Sequence, residues 1–527
     1  MDLTLIILFL LFMSVVFGLY FLFPLNKRYI VLLAFSLLFY AVYSKFLTVF
    51  LIITILTVYF AGISINKLDE KFDTEKKSLE KPERKLLKAK YKKKKNLITA
   101  ITVILNLGFI AALKYSGMFA GMFDGIFSWF KITTHFPVLK IGLPLGISYY
   151  TLSSIGYLID VNRGKYKAEN NILKVALFIC FFPQMLEGPF ASFDKLAPQL
   201  SEGHAFDLKN CSSGVLSVLW GFFKKVVIAD RLAIVAGEIF AHYSDYNGLF
   251  VIIGVLAFTF QLYAEFSGII DIAAGISKMF GIELAKNFEQ PFFSKNVSEF
   301  WRRWHISLGV WFREYVFYPV SMSKPFMALT KKLHGKVSPF WESFIPSLIA
   351  LFFVWFFNGL WHGASVKYVV YGLYYYAVMM IGMCVAQLIK VIFRKKELPP
   401  PSAKKEKFIN FLRIVRTFII INIGMLLFRA PTLGKGFDMF LQIFKGGRLY
   451  VPSKVIDVYD VVLCFVGVAV LLVSDALKEY KINVKEYLTL RPQVLRLSVY
   501  VSASMLIIIF GAYGQGYVPV DPIYGGF

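Results

Sequence analysis

Long apolar stretches, separated by short blocks of basic residues, are the feature that most constrains how this chain can fold. The first three stretches cover residues 3–24, 29–43 and 46–65. A helix needs about 20 mostly apolar residues to cross a hydrocarbon core of ~30 Å. Hydrophobic residues make up 57% of the chain, against about 45–50% in soluble domains. The sequence therefore predicts an all-α, polytopic transmembrane helical bundle, and it excludes a soluble enzyme.

Further apolar stretches follow at residues 97–113, 143–158, 172–182, 216–236, 249–266, 270–280, 337–357, 368–389, 417–428, 458–473 and 499–510. Those at 172–182, 417–428 and 499–510 are shorter than the ~17 residues that a full span requires. We expect these short helices to be re-entrant, tilted or buried in the bundle centre. The pattern predicts about a dozen helices without regular up-and-down alternation.

The net charge of +25 is concentrated in blocks between the apolar stretches. This distribution is typical of cytoplasmic loops under the positive-inside rule, and it favours anionic membrane lipids over nucleic acid as partners. We expect one membrane domain over 1–527, with N-terminal spans at 1–66 and a core at 97–389. Basic cytoplasmic loops are expected at 67–96 and 390–416, and C-terminal spans with an extracytoplasmic tail at 417–527. Both termini are then extracytoplasmic, in a multi-pass protein of the plasma or inner membrane.

Metal and redox chemistry have little support in the sequence. The four cysteines form no C-x-x-C pair, and no two of the six histidines stand four residues apart. Nucleotide-binding glycine motifs and a serine nucleophile elbow are absent as well. We expect no metal and no tightly bound cofactor.

The segment 299–319, EFWRRWHISLGVWFREYVFYP, is unusually polar for a membrane protein. One interpretation is an amphipathic helix at the membrane interface, with aromatic rings at headgroup depth and guanidinium groups in water. The alternative gives His305 a functional role. Supporting roles are then open to Arg303, Trp304 and Arg313.

A second histidine lies within the apolar segment 355–365, WFFNGLWHGAS. An ionisable group in a membrane span is costly unless its polar atoms are satisfied, and it commonly marks a functional path. His362 could therefore be a hydrogen-bonded bundle residue or a base that accepts a proton from an attacking hydroxyl. Asn358 and Trp361 flank it, and Gly359 and Gly363 would permit close backbone approach.

Two carboxylates, Glu265 and Asp271, lie in the otherwise apolar segment 263–271, YAEFSGIID. We expect them to pair with nearby arginines inside the bundle and to orient the structure rather than to perform chemistry.

These segments resemble the membrane-bound O-acyltransferases, and among them the bacterial alginate O-acetyltransferase branch. The resemblance runs in order from about residue 143 to 440. It is carried by LPLGISYYTLSSIGYLIDVNRG, FFPQMLEGP, GFFKKVVIADRLA, FSGIIDIAAGISKMFGIELAKNFEQPF, the 299–319 segment, NGLWHGAS and LFRAPTLGKGFDMF. The residue before Gly188-Pro189 departs from the family pattern, because Glu187 stands where a smaller or less charged residue is expected.

The resemblance implies a helical bundle with a thin centre or tunnel, open to the cytosol for the donor and to the outside for the acceptor. It implies transfer of an acetyl group from acetyl-coenzyme A for O-acetylation of an extracellular or cell-wall polysaccharide. The family's hallmark histidine falls on His362 and its second histidine on His305. Gln184, in FFPQ, is a further supporting residue. An extracytoplasmic SGNH-type acetyltransferase and a polysaccharide synthase complex are the implied partners.

Three alternatives stay open from the sequence. The chain could transfer D-alanyl groups to teichoic acids from a carrier protein, because that branch shares the RWHISL and FFPQ…GP segments. It could also export an acyl carrier without chemistry, or serve as a scaffold for a polymer synthase.

Overall fold

A computed structural model of the chain describes residues 3–134, 136–138, 142–185, 187–392, 402–446, 457–513 and 517. These residues are helical almost throughout and contain no β-strand, only an isolated bridge between Phe288 and Trp304. The all-α prediction is confirmed. His135 and Leu186 lie outside the described residues, as does most of the predicted C-terminal tail.

The chain forms two compact units. The first contains the described residues of Met1–Val218 and Ile269–Ala285, and the second those of Leu219–Gly268 and Lys286–Val520. The helices that begin in the first unit are α1 (Leu3–Leu22), α2 (Arg28–Ser44), α3 (Thr48–Glu75), α4 (Lys81–Trp129), α5 (Ile147–Arg163), α6 (Ile172–Cys180), α7 (Phe182–Met185), α8 (Phe193–Glu202) and α9 (Leu208–Phe222).

The helices that begin in the second unit are α10 (Asp230–Ala241), α11 (Gly248–Met279), α12 (Val297–Arg303), α13 (Ile306–Phe312), α14 (Tyr318–Ser321), α15 (Lys324–Leu333), α16 (Pro339–His362), α17 (Val366–Ile392), α18 (Ala403–Arg429), α19 (Leu433–Gln442), α20 (Val458–Glu479), α21 (Val484–Thr489) and α22 (Gln493–Phe510). Two π-helical segments, Phe223–Ala229 and Arg313–Phe317, precede α10 and α14.

Within the described residues, eight helical segments are long and apolar enough to cross a membrane, so the chain is a multi-pass membrane protein. They are Leu25–Ser78, Lys81–Trp129, Gly248–Met279, Pro339–His362, Val366–Ile392, Ala403–Arg429, Val458–Glu479 and Gln493–Phe510. The nine-residue α6 is too short to span, as predicted.

Three spans differ from their sequence-based limits. The stretches 249–266 and 270–280 form the single helix α11, because no proline separates them and the single Gly268 is tolerated inside a helix. The short stretches 417–428 and 499–510 belong to α18 and α22, which are 27 and 18 residues long. Charged residues at their N-terminal ends interrupt the apolar pattern without ending the helix.

The first unit contains a long helical hairpin of α3 and α4. Glu80 and Glu83 form a capping box at the start of α4, and the 49-residue helix is about 70 Å long at 1.5 Å per residue. The basic segment 67–96 is therefore helical on both sides of a short connection. Lys95 pairs with Asp69 at 2.7 Å and fixes the two helices against each other.

The second unit is built around α16, α17 and α18, which pack side by side. Helices α20 and α22 pack on the π-helical segment Phe223–Ala229. Arg231 anchors this region, since its guanidinium pairs with Asp460 and donates to the carbonyl oxygen of Phe510 at 3.1 Å. All residues of the candidate site described next belong to this unit.

Candidate active site

The α16–α17 hairpin places His362 at the last turn of α16. A Cβ atom on Gly359 would lie 2.4 Å from the carbonyl oxygen of Tyr368, and one on Gly372 would lie 2.3 Å from that of Trp355. The two helix backbones are therefore in direct contact, as is common where small residues line membrane helix interfaces. The close backbone approach predicted at Gly359 is confirmed.

The imidazole of His362 is enclosed by aromatic rings from three helices. Its side chain is buried, with 3% of the residue exposed. Its ring centroid lies 4.9 Å from that of Trp361, 5.7 Å from that of Tyr371 on α17 and 5.3 Å from that of Phe428 on α18. All three contacts are edge-to-face, an arrangement that holds the ring in one orientation.

His305 occupies the junction between α12 and α13 in a left-handed backbone conformation, with φ at +49°. Such conformations are uncommon for residues other than glycine and concentrate at functional sites. A short stretch of strand-like pairing supports this one. The amide of Glu289 donates to the carbonyl oxygen of Arg303 at 2.9 Å, and the amide of Ile306 donates to that of Asn287 at 3.0 Å.

Asn287 determines which nitrogen of His305 carries the proton. Its Oδ1 atom accepts from the backbone amide of Ser307 at 3.1 Å and from the Ser307 hydroxyl at 2.8 Å. A backbone amide can only donate, so the contacted atom is an acceptor. His305 Nδ1, 3.3 Å from the same oxygen, must then be an N–H donor. The neutral ring therefore presents its lone pair on Nε2.

The His305 ring is kept neutral by its surroundings. Complete burial lowers the pKa of His305 from its ordinary value to about 3. The ring is accordingly neutral at physiological pH, where it can accept a hydrogen bond and does not carry a resting positive charge.

Trp361 lies between the two histidines. Its ring centroid is 5.6 Å from that of His305 and 4.9 Å from that of His362. On the other side of His305 lies Phe266, at 4.7 Å. Two buried imidazoles on different parts of the chain thus share one indole ring, in a site that excludes bulk water.

A buried charged cluster precedes Phe266 in the chain. Lys225, on the first π-helical segment, lies 2.8 Å from a carboxylate oxygen of Glu265 and 2.8 Å from one of Asp230. The partner that the structure shows for Glu265 is a lysine, presented by this π-helical turn, where an arginine was expected. A structural role for Glu265, as expected, suits this geometry.

The other predicted residues are distributed around the unit. Asn358 is buried one helical turn before His362, and Trp304 is buried against Phe288. Arg303 pairs with Glu299 at 2.8 Å and with Glu479 of α20 at 2.7 Å, so it braces α12.

For three of the predicted residues, the contacts described here do not lead to His305 or His362. The side chain of Arg313 is 53% exposed and lies 3.9 Å from Glu314. Asp271 and Gln184 belong to the first unit, where Gln184 Nε2 donates to the carbonyl oxygen of Pro189 at 2.8 Å. Among the described residues no group of three His, Cys, Asp or Glu side chains could hold a metal ion.

Sequence reasoning did not single out Asn287, Lys225, Tyr371 or Phe428. A signal existed for Lys225, because Lys224 and Lys225 interrupt the apolar stretch 216–236 and such residues inside a membrane bundle need partners. For Asn287 the only signal was its place in a long matching segment. The two rings belong to apolar helices and look like ordinary core residues.

Comparisons with known proteins show which family the chain is similar to. The family model described as "MBOAT, membrane-bound O-acyltransferase family" matches residues 168–332, which include His305. The chain is 32% identical over 437 residues to a probable alginate O-acetylase AlgI of Pseudomonas syringae pv. tomato, covering 83% of this chain and 74% of that protein.

Two other relatives differ in their named activity. A peptidoglycan O-acetyltransferase of Helicobacter pylori is 28% identical, over 67% of this chain and 64% of its own. A teichoic acid D-alanyltransferase of Bacillus subtilis is 30% identical, over 56% of this chain and 70% of its own.

Proposed function

Because the chain belongs to the membrane-bound O-acyltransferase family, and to its alginate O-acetylase-like branch, we propose that it moves an acetyl group from cytoplasmic acetyl-coenzyme A to a hydroxyl acceptor on the outer side of the plasma or inner membrane. The product is an O-acetylated extracellular or cell-wall polysaccharide. The observation that carries the proposal is the pair of buried imidazoles, His305 and His362, on either side of Trp361.

Acyl transfer to a hydroxyl needs a base that is unprotonated before the reaction. The imidazole of His362 accepts the proton of the acceptor hydroxyl while its oxygen attacks the thioester carbonyl carbon. The C–S bond then breaks, and the proton passes to the leaving thiolate, which gives the ester and the free coenzyme A thiol. A dry aromatic environment strengthens the electrostatic interactions in this step and excludes hydrolysis of the thioester.

His305 is the partner of His362 in this proposal. Asn287 holds its Nδ1–H, so the lone pair of the neutral ring is on Nε2, the atom that can accept a hydrogen bond. The left-handed backbone conformation of His305 is of a kind that concentrates at functional sites.

The positions of the basic segments indicate which end of the site faces the cytoplasm and which faces the outer side of the membrane. Lys331, Lys332 and Lys336 precede α16, and Lys390 ends α17. With these residues in the cytoplasm, the positive-inside rule puts the His362 end of α16 towards the outer side, near an external acceptor. The basic segments at 67–96 and 390–416 then face the phosphates of acetyl-coenzyme A and the anionic lipid surface.

An acceptor on the outer side of the membrane suggests that a second protein performs the last transfer step. We expect an extracytoplasmic SGNH-type acetyltransferase to complete transfer onto the polymer, within reach of a polysaccharide synthase complex. The second candidate function is D-alanyl transfer, which the similarity to the teichoic acid D-alanyltransferase favours. It needs a carrier-protein donor in place of coenzyme A.

A donor comparison tests the proposal. The purified full-length protein is offered radiolabelled acetyl-coenzyme A or D-alanyl carrier protein, each together with a uronate or glucose oligosaccharide as hydroxyl acceptor, and thioester consumption is followed. Consumption of acetyl-coenzyme A alone is expected. Consumption of the D-alanyl carrier alone would replace acetyl transfer with the second function.

A further inference from the structure

The backbone turn that carries His305 depends on a very short antiparallel pairing. Its centre is the isolated bridge between Phe288 and Trp304. Next to this bridge both Gln290 and His305 have left-handed backbones, with φ at +41° and +49°. An isolated two-stranded pairing is marginally stable at best, and left-handed conformations of such residues persist only where surrounding contacts enforce them. The turn therefore needs support from other parts of the fold.

One support is a carboxylate at the C-terminal end of α20. Two guanidinium nitrogens of Arg303 lie 2.7 and 3.2 Å from the two carboxylate oxygens of Glu479. Paired bonds of this kind fix the orientation of both groups. Arg303 is two residues before His305, and its carbonyl oxygen accepts from the amide of Glu289 on the opposite side of the pairing. Glu479 thus holds the turn through a residue of the pairing itself.

A second support is Asp475, one helical turn before Glu479 on α20. Asp475 is 3% exposed, and a carboxylate buried in a membrane helix is costly unless a donor holds it. The hydroxyl of Tyr263 donates to Asp475 Oδ2 at 2.6 Å. The ring of Tyr263 lies 5.6 Å from that of Phe288 and 5.8 Å from that of Trp304. Asp475 therefore fixes the ring that packs on both residues of the bridge.

The spacing of the two carboxylates makes them act together. Residues four positions apart lie on one face of a helix, so the same face of α20 contacts the turn twice. The other end of α20 is held separately, since Asp460 pairs with Arg231. A shift of the turn away from α20 would separate His305 Nδ1 from Asn287 Oδ1, and that contact of 3.3 Å tolerates little further separation.

We propose that Asp475 and Glu479 are positioning residues for His305, and that the end of α20 which carries them belongs to the reaction site. They hold the pairing that keeps Asn287 Oδ1 beside His305 Nδ1, and the lone pair of the ring then stays on Nε2. Both residues lie beyond residue 332, where the match to the family model ends. The expected effect on rate rests on the proposed function, whereas the effect on the ring tautomer does not.

The rate is measured with the full-length protein, radiolabelled acetyl-coenzyme A and a uronate or glucose oligosaccharide as hydroxyl acceptor. Glu479→Gln and Asp475→Asn keep the size of each side chain and remove its charge. We expect kcat to fall about tenfold or more in each variant, with the KM for acetyl-coenzyme A within about twofold, because the ring is displaced and the donor site is not. Glu479→Asp keeps the charge and should recover part of the rate.

Asp460→Asn is the matched control. It removes an ion-paired carboxylate of the same helix, but its partner is Arg231 and not a residue of the His305 turn. A lower thermal unfolding midpoint with kcat within about twofold is expected, since a surface of α20 far from the turn is weakened. If Glu479→Gln and Asp475→Asn slowed turnover no more than Asp460→Asn does, the positioning role would be overturned.

A spectroscopic readout is independent of acyl transfer. Nitrogen-15 labelling of the histidine rings separates the Nδ1–H and Nε2–H tautomers by NMR, and the signals that vanish in His305→Phe are those of His305. We expect the Nδ1–H tautomer alone in the unaltered protein and in Asp460→Asn, and both tautomers in Glu479→Gln and Asp475→Asn.

The two readouts can fail separately. A protein that shows these tautomer changes but transfers no acetyl group would retain the positioning role of Asp475 and Glu479 and lose the proposed function. A single, unchanged tautomer of His305 in both Glu479→Gln and Asp475→Asn would overturn the positioning role, whatever the rate of acetyl transfer.

Discussion

The indole ring of Trp361 lies 5.6 Å from the imidazole of His305, with an angle of 63° between the ring planes. The same indole borders His362, which follows it in α16. Trp361 therefore sets the separation of the two histidines and closes the space between them to water. The size of the Trp361 side chain therefore determines how far apart the two imidazoles lie.

Truncation of Trp361 should damage activity and stability together. Trp361→Ala removes the shared ring and leaves a cavity, at a cost of about 3–5 kcal/mol, and we expect acyl transfer to fall at least tenfold. Trp361→Phe retains a ring and should keep more activity. Transfer rates and unfolding midpoints of the purified variants measure both effects. Trp341→Ala, a partly exposed tryptophan on α16, is the control. Full activity in Trp361→Ala would exclude this role.

Substitution of Asn287 should lower the rate of acyl transfer and leave the affinity for the donor unchanged. Asn287→Leu removes the oxygen that accepts from His305 Nδ1, so the ring can adopt the other tautomer and lose its basic Nε2. We expect kcat to fall on the order of 100-fold with little change in KM. Asn287→Asp keeps an acceptor and should recover part of the rate.

Ser307→Ala is the matched control for Asn287, because it deletes one donor to the same oxygen and leaves the His305 contact in place. A rate close to that of the unaltered protein is expected. If Asn287→Leu changed KM and kcat no more than Ser307→Ala does, the tautomer argument would fail.

Burial of neutral His305 should make stability depend on pH. The folded-state pKa of about 3 lies below the ordinary value of the unfolded chain. Between those values the unfolded state binds more protons, so stability falls as the pH is lowered from about 6.5 towards 3, by up to ~1.4 kcal/mol per pH unit. Thermal unfolding midpoints across this range test the slope. His305→Phe should flatten it, and an identical slope in the variant would assign the effect to other groups.

The contact between α16 and α17 can be tested with two glycines of α17. Gly372→Ala would put a Cβ atom 2.3 Å from the carbonyl oxygen of Trp355, and the helices would have to separate. Overpacking of this kind costs on the order of 1–3 kcal/mol, and the shift of α16 should lower transfer. Gly382→Ala meets no atom within 4 Å and should be neutral or slightly stabilising. Similar unfolding midpoints for the two variants would contradict the backbone contact.

Much of the fold follows from apolar length alone. Spans such as α16 and α17 are visible in the sequence because a membrane requires long apolar helices. The first residues of α18 and α22 are harder to predict from the sequence, because charged residues continue each helix beyond its apolar part. Periodicity carries no information on where such a helix ends in water.

The site was predicted only in part, for a different physical reason. His362 and His305 were identified because an ionisable group among apolar residues is costly, and the resemblance gave them roles. Lys225 was not predicted as a partner of Glu265, since it lies 40 positions earlier in the chain and reaches it from a π-helical turn. The left-handed conformation of His305 has no sequence signal, because it depends on tertiary pairing rather than on a glycine.

The most direct test of the account is acyl transfer by the His362→Ala protein. Purified full-length protein is given radiolabelled acetyl-coenzyme A and a uronate or glucose oligosaccharide as hydroxyl acceptor, and release of the thiol and of acetylated product is compared with the unaltered protein. Asn422→Ala, which removes a half-buried amide elsewhere on α18, controls for general damage to the bundle. The account predicts turnover in the unaltered and control proteins and its loss in His362→Ala, with the variant still membrane-inserted. Undiminished transfer in His362→Ala would contradict it.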